Sequence, residues 1–252
     1  RELRPEDPQF GTPYGPTECL PGAVIEGREL QATRAATEAG AGTCVGRPVA
    51  PNEVRIIRIS DEPVGQWSDE LCVADGVVGE ITVAGPSVTD LYFNREAQTR
   101  LAKIRESLPM PGGSETRVVH RMGDLGYFDE HGRLWFCGRK SHRVETREGP
   151  LYTEQVEPVF NTHRQVRRTA LVGVGALGAQ QPVLCVELAP GVHAREWPRI
   201  ERELRALGAS FAHTSRVERF LLHPKFPVDI RHNAKIGREK LAAWAAGRLA
   251  AG

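Results

Sequence analysis

Past the midpoint of this 252-residue chain lies a polar, charged stretch without hydrophobic period, Gly138-Arg139-Lys140-Ser141-His142-Arg143. Such a stretch adds nothing to a core and reads as a linker. It separates two parts of different texture, and that division limits the fold more than any other feature. Before it, short β segments sit between glycines. Residues 54–59 alternate valine and isoleucine with arginine, and residues 79–83 form a second strand candidate. Residues 125–128 and 133–136 flank Asp129-Glu130-His131-Gly132, a hairpin turn in which Gly132 supplies the positive φ. Residues 94–108 read as an amphipathic helix, and residues 1–45, rich in Gly, Pro and Thr, read as loops. After the linker, residues 153–161 predict a helix with Thr153 as N-cap and Val156, Val159 and Phe160 on one face. Residues 169–174 and 183–188 are apolar strands. Residues 194–207 form a helix with Trp197, Ile200, Leu204 and Leu207 at helical spacing, ended by Gly208. Residues 241–249 form a last helix. The tail is thus a small α+β unit of about a hundred residues, within the usual domain range.

Charge and cysteine usage exclude several classes. Thirty-three basic residues against 32 acidic leave +1, too little to draw in nucleic acid or an anionic membrane. No run approaches the ~18 apolar residues of a membrane span, and no signal peptide opens the chain. Five cysteines, odd in number and never in CxxC, fit neither a zinc site nor a disulfide framework, so a reducing, cytoplasmic setting is expected. The polar opening at residues 1–8, starting at Arg1, reads as the inside of a longer protein. Among the basic residues only Lys103, Lys140, Lys225, Lys235 and Lys240 are lysines, so each is conspicuous.

Four places can carry chemistry. Tyr14-Gly15-Pro16-Thr17-Glu18 offers an aromatic face for a purine, a hydroxyl for a phosphate and a carboxylate for Mg2+, which favours hard oxygen ligands beside substrate phosphates. Asp124, in Gly123-Asp124-Leu125-Gly126, can accept hydrogen bonds from a ribose diol. Arg139 can bridge a ribose hydroxyl and a phosphate. Lys235, between Ala234 and Ile236, can approach a carboxylate–phosphate transition state, worth up to ~4 kcal/mol or roughly three decades in rate. Taken singly, the Tyr14–Glu18 and Asp124 motifs read better as ordinary turns, and Arg139 and Lys235 can be a solvated linker arginine and a surface lysine. Gly40-Ala41-Gly42-Thr43 lacks a Walker lysine and reads as a loop. The histidines lack HExxH spacing, and Ser87, Ser114 and Ser210 sit in no GxSxG elbow, which disfavours metalloprotease and serine hydrolase chemistry.

The order of these motifs is more specific than any one of them. Tyr14 to Glu18, then Gly79-Glu80-Ile81 through Gly85 and Tyr92, Gly123-Asp124, Gly132-Arg133-Leu134, Gly138-Arg139 and a late Lys235 resemble the second half of an adenylate-forming enzyme. That superfamily holds acyl-CoA synthetases, luciferase and peptide-synthetase adenylation domains. Within it, the segments at residues 119–124, 136–146 and 226–236 are similar to the β-lactone-forming branch of bacterial olefin biosynthesis. The resemblance implies an α+β fold. Residues 1–140 would end a large AMP-binding domain with a β-barrel-like subdomain, and residues 141–252 would be a small mobile α+β domain carrying the adenylation lysine. It also implies ATP and Mg2+. Tyr14 would stack on adenine, with Gly15 in the nucleotide-binding turn. Thr17 would meet the α-phosphate and Glu18 the metal, Asp124 and Arg139 would hold the ribose, and Lys235 would bridge carboxylate and phosphate. Ser141 falls at the hinge.

Met122, Ser141 and Asn233-Ala234 depart from the superfamily's usual residues, which fits an enzyme that needs no second conformation to admit CoA. The superfamily's phosphate loop does not occur in these residues, so adenylation belongs to a longer parent. Its substrate would be a 2-alkyl-3-hydroxy fatty acid, and other olefin-pathway enzymes are expected companions. A fatty acyl-CoA ligase and a non-catalytic nucleotide-binding or interaction module are the alternatives.

Overall fold

A computed structural model describes residues 10–229 and 232–250, with backbone alone for residues 232–234. The polar opening at residues 1–8, Ile230, Arg231 and the side chains of Asn233 and Ala234 lie outside the described residues. The described chain falls into two compact units, residues 10–34 with 43–140 and residues 35–42 with 141–250. Among the described residues no helix is long and apolar enough to cross a membrane.

The first unit is built on eight strands: β1 (Gly11–Tyr14), β2 (Ala23–Glu26), β3 (Thr43–Pro48), β4 (Glu53–Ile57), β5 (Gly79–Ala84), β6 (Lys103–Met110), β7 (Gly113–Phe128) and β8 (Leu134–Arg139). They pair in the order β1-β2-β3-β8-β7-β5-β4, with β6 added on β7. The ladder is open at β1 and β4, so the hydrogen bonding does not close the barrel-like subdomain that the resemblance implied. Ile56, Ile81, Val83, Met122 and Leu134 fill one side of the sheet, while Ile57, Ala84, Ile104 and Val119 form a second cluster. The hairpin expected at Asp129 joins β7 to β8. Asp129 N bonds Arg133 O at 3.0 Å, and Gly132 takes a φ of 67°.

Two sequence expectations fail in the stretch before the linker. Residues 1–45 are not all loop, because β1, β2 and helix α1 (Gly27–Glu38) occupy much of that stretch. The helix consists of good formers such as Glu29, Leu30, Gln31 and Ala32, yet only Gly27 and Thr33 are buried. It has no apolar stripe for a period-based reading to find. Residues 94–108 are not one helix. Helix α2 (Glu96–Ala102) stops where β6 begins, and β6 pairs with β7 from Lys103 to Met110. The inward side of β6 carries Glu106, which disguises the strand period. Arg55 donates to both Glu106 oxygens, at 2.6 and 2.8 Å, and Arg117 donates at 2.6 Å. These bonds from Arg55 hold the Glu106 carboxyl down at about 2, against the cost of burial.

The second unit has hairpin strands β9 (Val144–Thr146) and β10 (Gly149–Leu151), helix α3 (Thr153–Asn161), β11 (Val166–Val174) and β12 (Gln181–Leu188). Helix α4 (Trp197–Gly208), β13 (Arg219–Leu222), β14 (Val228–Asp229), β15 (His232–Ile236) and α5 (Arg238–Ala250) follow. β12 pairs antiparallel with β11 and parallel with β13, and α4 supplies the crossover a parallel pair requires. Alternate residues of the sheet face two cores. Leu171, Leu184 and Val186 meet Val156 and Phe160 of α3 and Ile200 and Leu204 of α4. Ala170, Val172, Val183 and Cys185 meet Leu241 and Ala245 of α5. Thr153 is the first helical residue rather than the cap, because Tyr152 O accepts from Gln155 N and Val156 N at 3.1 Å each. The helix expected from residue 194 splits into a short 3-10 turn (Ala194–Glu196) and α4, whose first turn holds Pro198.

Phe160 is fully buried and packs edge-on to Phe220 at 5.5 Å. A Cβ placed on Gly208 would lie 2.9 Å from the Phe160 ring. Phe160→Ala is therefore expected to lower stability by about 3–5 kcal/mol, and Gly208→Ala by about 1–3 kcal/mol through overpacking. Urea unfolding followed by circular dichroism measures both.

Candidate active site

β1 ends at Tyr14, and the chain then turns sharply. Gly15 has a φ of 145°, and a Cβ there would stand 3.0 Å from Gly22 N. Glycine fits because the backbone conformation and the close approach both exclude a side chain. Tyr14 O accepts from Gly22 N at 2.8 Å, and Cys19 N bonds Pro16 O at 3.1 Å to close the 3-10 turn Thr17–Cys19. Fully buried Cys19 anchors this turn in the core, which leaves Thr17 exposed and Glu18 half-buried.

Asp124 and Arg139 are cross-strand partners in the β7–β8 register. Asp124 is only 6% exposed. Tyr14 Oη donates to its Oδ2 at 2.7 Å, and Arg139 Nη1 lies 3.1 Å from Oδ1 as an ion pair. That contact lacks hydrogen-bond alignment, and Oδ1 is a buried acceptor with no hydrogen-bond partner. Burial pushes the Asp124 carboxyl up, while Arg139 and the Tyr14 hydroxyl pull it down. Burial and the Asp124 charge also push the Tyr14 phenol well up, so it keeps its proton and remains a donor. Its ring sits 5.8 Å from that of Phe136. An orphaned buried acceptor is an unfinished hydrogen bond, and a ligand hydroxyl is the kind of donor that completes it.

Glu18 has a partner to which the sequence reading gave no role. Tyr92 Oη donates to Glu18 Oε1 at 2.8 Å, and Thr89 N donates to Glu18 O at 3.0 Å. Burial opposes ionisation of Glu18, but the Tyr92 bond and the neighbouring charges outweigh it and hold the carboxyl below its ordinary range. Among the described residues no three metal-binding side chains converge. A single ionised carboxylate suits Mg2+, which is commonly held by one or two carboxylates together with substrate phosphates and water. Sequence reasoning also left Glu80 without a partner. It pairs with Arg121 at 2.7 Å and Lys140 at 3.1 Å, lining a cavity of about 590 Å³ with Tyr92, Met122 and Gly123. The isolated lysine at 140, beside Arg139, was the available signal.

Tyr14, Gly15, Thr17, Glu18, Asp124 and Arg139 all lie in the first unit, and Ser141 and Lys235 in the second. Ser141 is exposed in the 3-10 turn Lys140–His142. Lys235 is exposed on β15 and lines a cavity of about 690 Å³ with Pro227, Val228, Asp229 and Lys240. Its strand is fixed just beyond it. Gly237 N bonds Pro227 O at 2.8 Å, and both Arg238 Nη atoms grip buried Glu157.

No family model matches the chain. The fold, the order of its motifs and its relatives nevertheless define its class, and the chain belongs to the adenylate-forming superfamily. It is 70% identical over 246 residues to an olefin beta-lactone synthetase of Xanthomonas campestris pv. campestris, covering 98% of this chain and 44% of that protein. It is 66% identical over 249 residues to the olefin beta-lactone synthetase of Stenotrophomonas maltophilia, covering 99% and 44% respectively. The chain thus spans less than half the length of either relative. The solved structure of the amide bond synthetase McbA from Marinactinospora thermotolerans superposes with a TM-score of 0.67 at 25% identity, over 93% of this chain and 41% of that one.

His120 lies on β7, opposite Lys103 of β6 and edge-on to Tyr92 at 6.3 Å. Its Nδ1 is 3.3 Å from Ala102 O, so that nitrogen carries the proton. Burial, reinforced by the charge of Lys103, lowers its pKa to about 4. The unfolded imidazole, with a pKa of about 6.5, binds a proton that the folded one refuses. Stability supplied by neutral His120 is thus complete above pH ~6.5 and is lost as pH falls toward ~4. Denaturation midpoints across this window are expected to fall less for His120→Gln than for the wild type, the difference being on the order of 2–3 kcal/mol.

Proposed function

We propose that this chain contributes the ribose, metal and lysine sites of an ATP-dependent, AMP-forming β-lactone synthetase. The observation that carries the reading is buried Asp124, with one oxygen held by Tyr14 and the other lacking a hydrogen-bond partner beside Arg139. A ribose diol would complete that pattern, and the likeness to the two olefin beta-lactone synthetases supports it. The first unit would then be the end of the large AMP-binding domain, and the second the small domain that brings in Lys235.

In the first half-reaction a substrate carboxylate oxygen attacks the α-phosphorus of ATP and pyrophosphate leaves. Asp124 and Arg139 orient the ribose, Thr17 meets the α-phosphate, and Lys235 neutralises charge shared by carboxylate and phosphate. Glu18 would hold Mg2+, which supplies countercharge to the phosphates. In the second half-reaction the substrate's own β-hydroxyl oxygen attacks the acyl carbonyl, the hydroxyl proton is lost and AMP departs. The nucleophile is already tethered, which favours closure through proximity. The substrate proposed is a 2-alkyl-3-hydroxy fatty acid, with other olefin-pathway enzymes as companions. The five free cysteines suit a reducing cytoplasm.

The test uses a protein of the relatives' full length that carries these residues, supplied with ATP, Mg2+ and a long-chain 2-alkyl-3-hydroxy acid without CoA. NMR of the organic extract is expected to show a β-lactone, with one AMP released for each. AMP release only when CoA is added, with a thioester as product, would instead identify an acyl-CoA ligase.

In the same protein Lys235→Ala is expected to slow adenylate formation by roughly 10²–10³-fold. Asp124→Asn is expected to raise KM for ATP more than KM for the acid. Pyrophosphate release under initial-rate conditions measures both.

A further inference from the structure

Lys103 is the only one of the chain's five lysines that is buried, at 6% exposure. It opens β6, in a region where the sequence predicts helix. Its Nζ donates to Thr89 Oγ1 at 3.0 Å and stands 5.5 Å from the centre of the Tyr92 ring. Thr89 and Tyr92 are the two residues that hold Glu18, one by its backbone carbonyl and the other by its carboxylate. Both grips on Glu18 therefore meet at one ammonium. Burial draws the lysine pKa down, against the opposing influence of Cys19, Glu18 and Asp90. A buried ammonium with a hydroxyl as its hydrogen-bond acceptor is costly where Met or Leu would fill the space. That cost points to a role beyond packing.

We propose that Lys103 is a positioning residue for Glu18: it ties Thr89 and Tyr92 together so that the carboxylate stands ready for a metal-bound nucleotide. This rests on the reading of Glu18 as the metal carboxylate. A hydrogen-bonded outer layer of this kind orients metal-binding carboxylates, and its loss commonly costs about 10–100-fold in metal affinity.

The experiment is a calorimetric titration of Mg2+ into the full-length protein with a non-hydrolysable ATP analogue. Wild type is compared with Lys103→Met, Lys103→Arg, Thr89→Val and Glu18→Gln. Lys103→Met is expected to weaken Mg2+ binding about tenfold, with Thr89→Val moving the same way and Lys103→Arg recovering affinity. In steady state, KM for Mg·ATP should rise in Lys103→Met while KM for the acid stays unchanged. Glu18→Gln separates the two levels of the argument. If it binds Mg2+ like wild type, the metal reading of Glu18 fails and the proposal fails with it. If Glu18→Gln loses Mg2+ while Lys103→Met keeps it, the positioning role alone is overturned. Should Lys103→Met fail to fold, Thr89→Val and Tyr92→Phe replace it, and unchanged Mg2+ affinity in both rejects the proposal.

Discussion

The hydrogen bond from Tyr14 to Asp124 ties together groups 110 residues apart in sequence. It is short, nearly buried and charge-assisted, the kind of bond that is about twice as strong as a neutral one. With Tyr14 held at the end of β1, the chain must reverse at once, and only glycine suits the conformation at residue 15. Thr17 and Glu18 then follow in a tight turn whose buried Cys19 allows little freedom. On the other side, the β7–β8 register sets Arg139 opposite Asp124. One carboxylate thus organises a turn from the start of the chain and an arginine from the end of the first unit.

The interior of the first unit also holds ion pairs. Glu80 is gripped by Arg121 and Lys140, and Glu106 by Arg55 and Arg117. Such pairs add little net stability compared with well-packed apolar residues, but removing one member strands a charge. Their stronger effect is on register. A one-residue slip of β6 would turn Glu106 toward solvent and bring Arg105 against Arg55 and Arg117. The wrong pairing is penalised by repulsion, and Lys103 and His120 stay opposite each other as a result.

The same charges explain what could be read from the sequence. The second unit was legible because its elements follow clean periods. Val156, Val159 and Phe160 repeat along α3, and the apolar runs of β11 and β12 are buried on both faces. β6 was not legible, because a buried lysine opens it and its inward face carries a glutamate, and α1 was not because it buries almost nothing. At the site, Tyr14, Glu18, Asp124 and Arg139 were each visible as motif residues, and their order carried the resemblance. The bond of Tyr92 to Glu18 and the brace at Lys103 were hidden. The brace depends on the β6–β7 hairpin, whose first strand the sequence presents as helix.

Asp124 and Lys235 meet opposite electrostatic conditions. Asp124 is nearly buried and pre-placed by Tyr14 and by half-exposed Arg139, so its orientation costs no reorganisation on ligand binding. Lys235 stands exposed on a two-stranded ribbon that Arg238 and Glu157 anchor at its base. In water a unit charge at 4 Å is worth only about 1 kcal/mol, against about 4 kcal/mol at an effective dielectric near 20. The role proposed for Lys235 therefore requires that water be excluded around it at the moment of reaction. Its own ribbon does not do this. On that proposal the dry surroundings would be supplied by bound substrate, so the lysine would act only when a substrate is present to be charged.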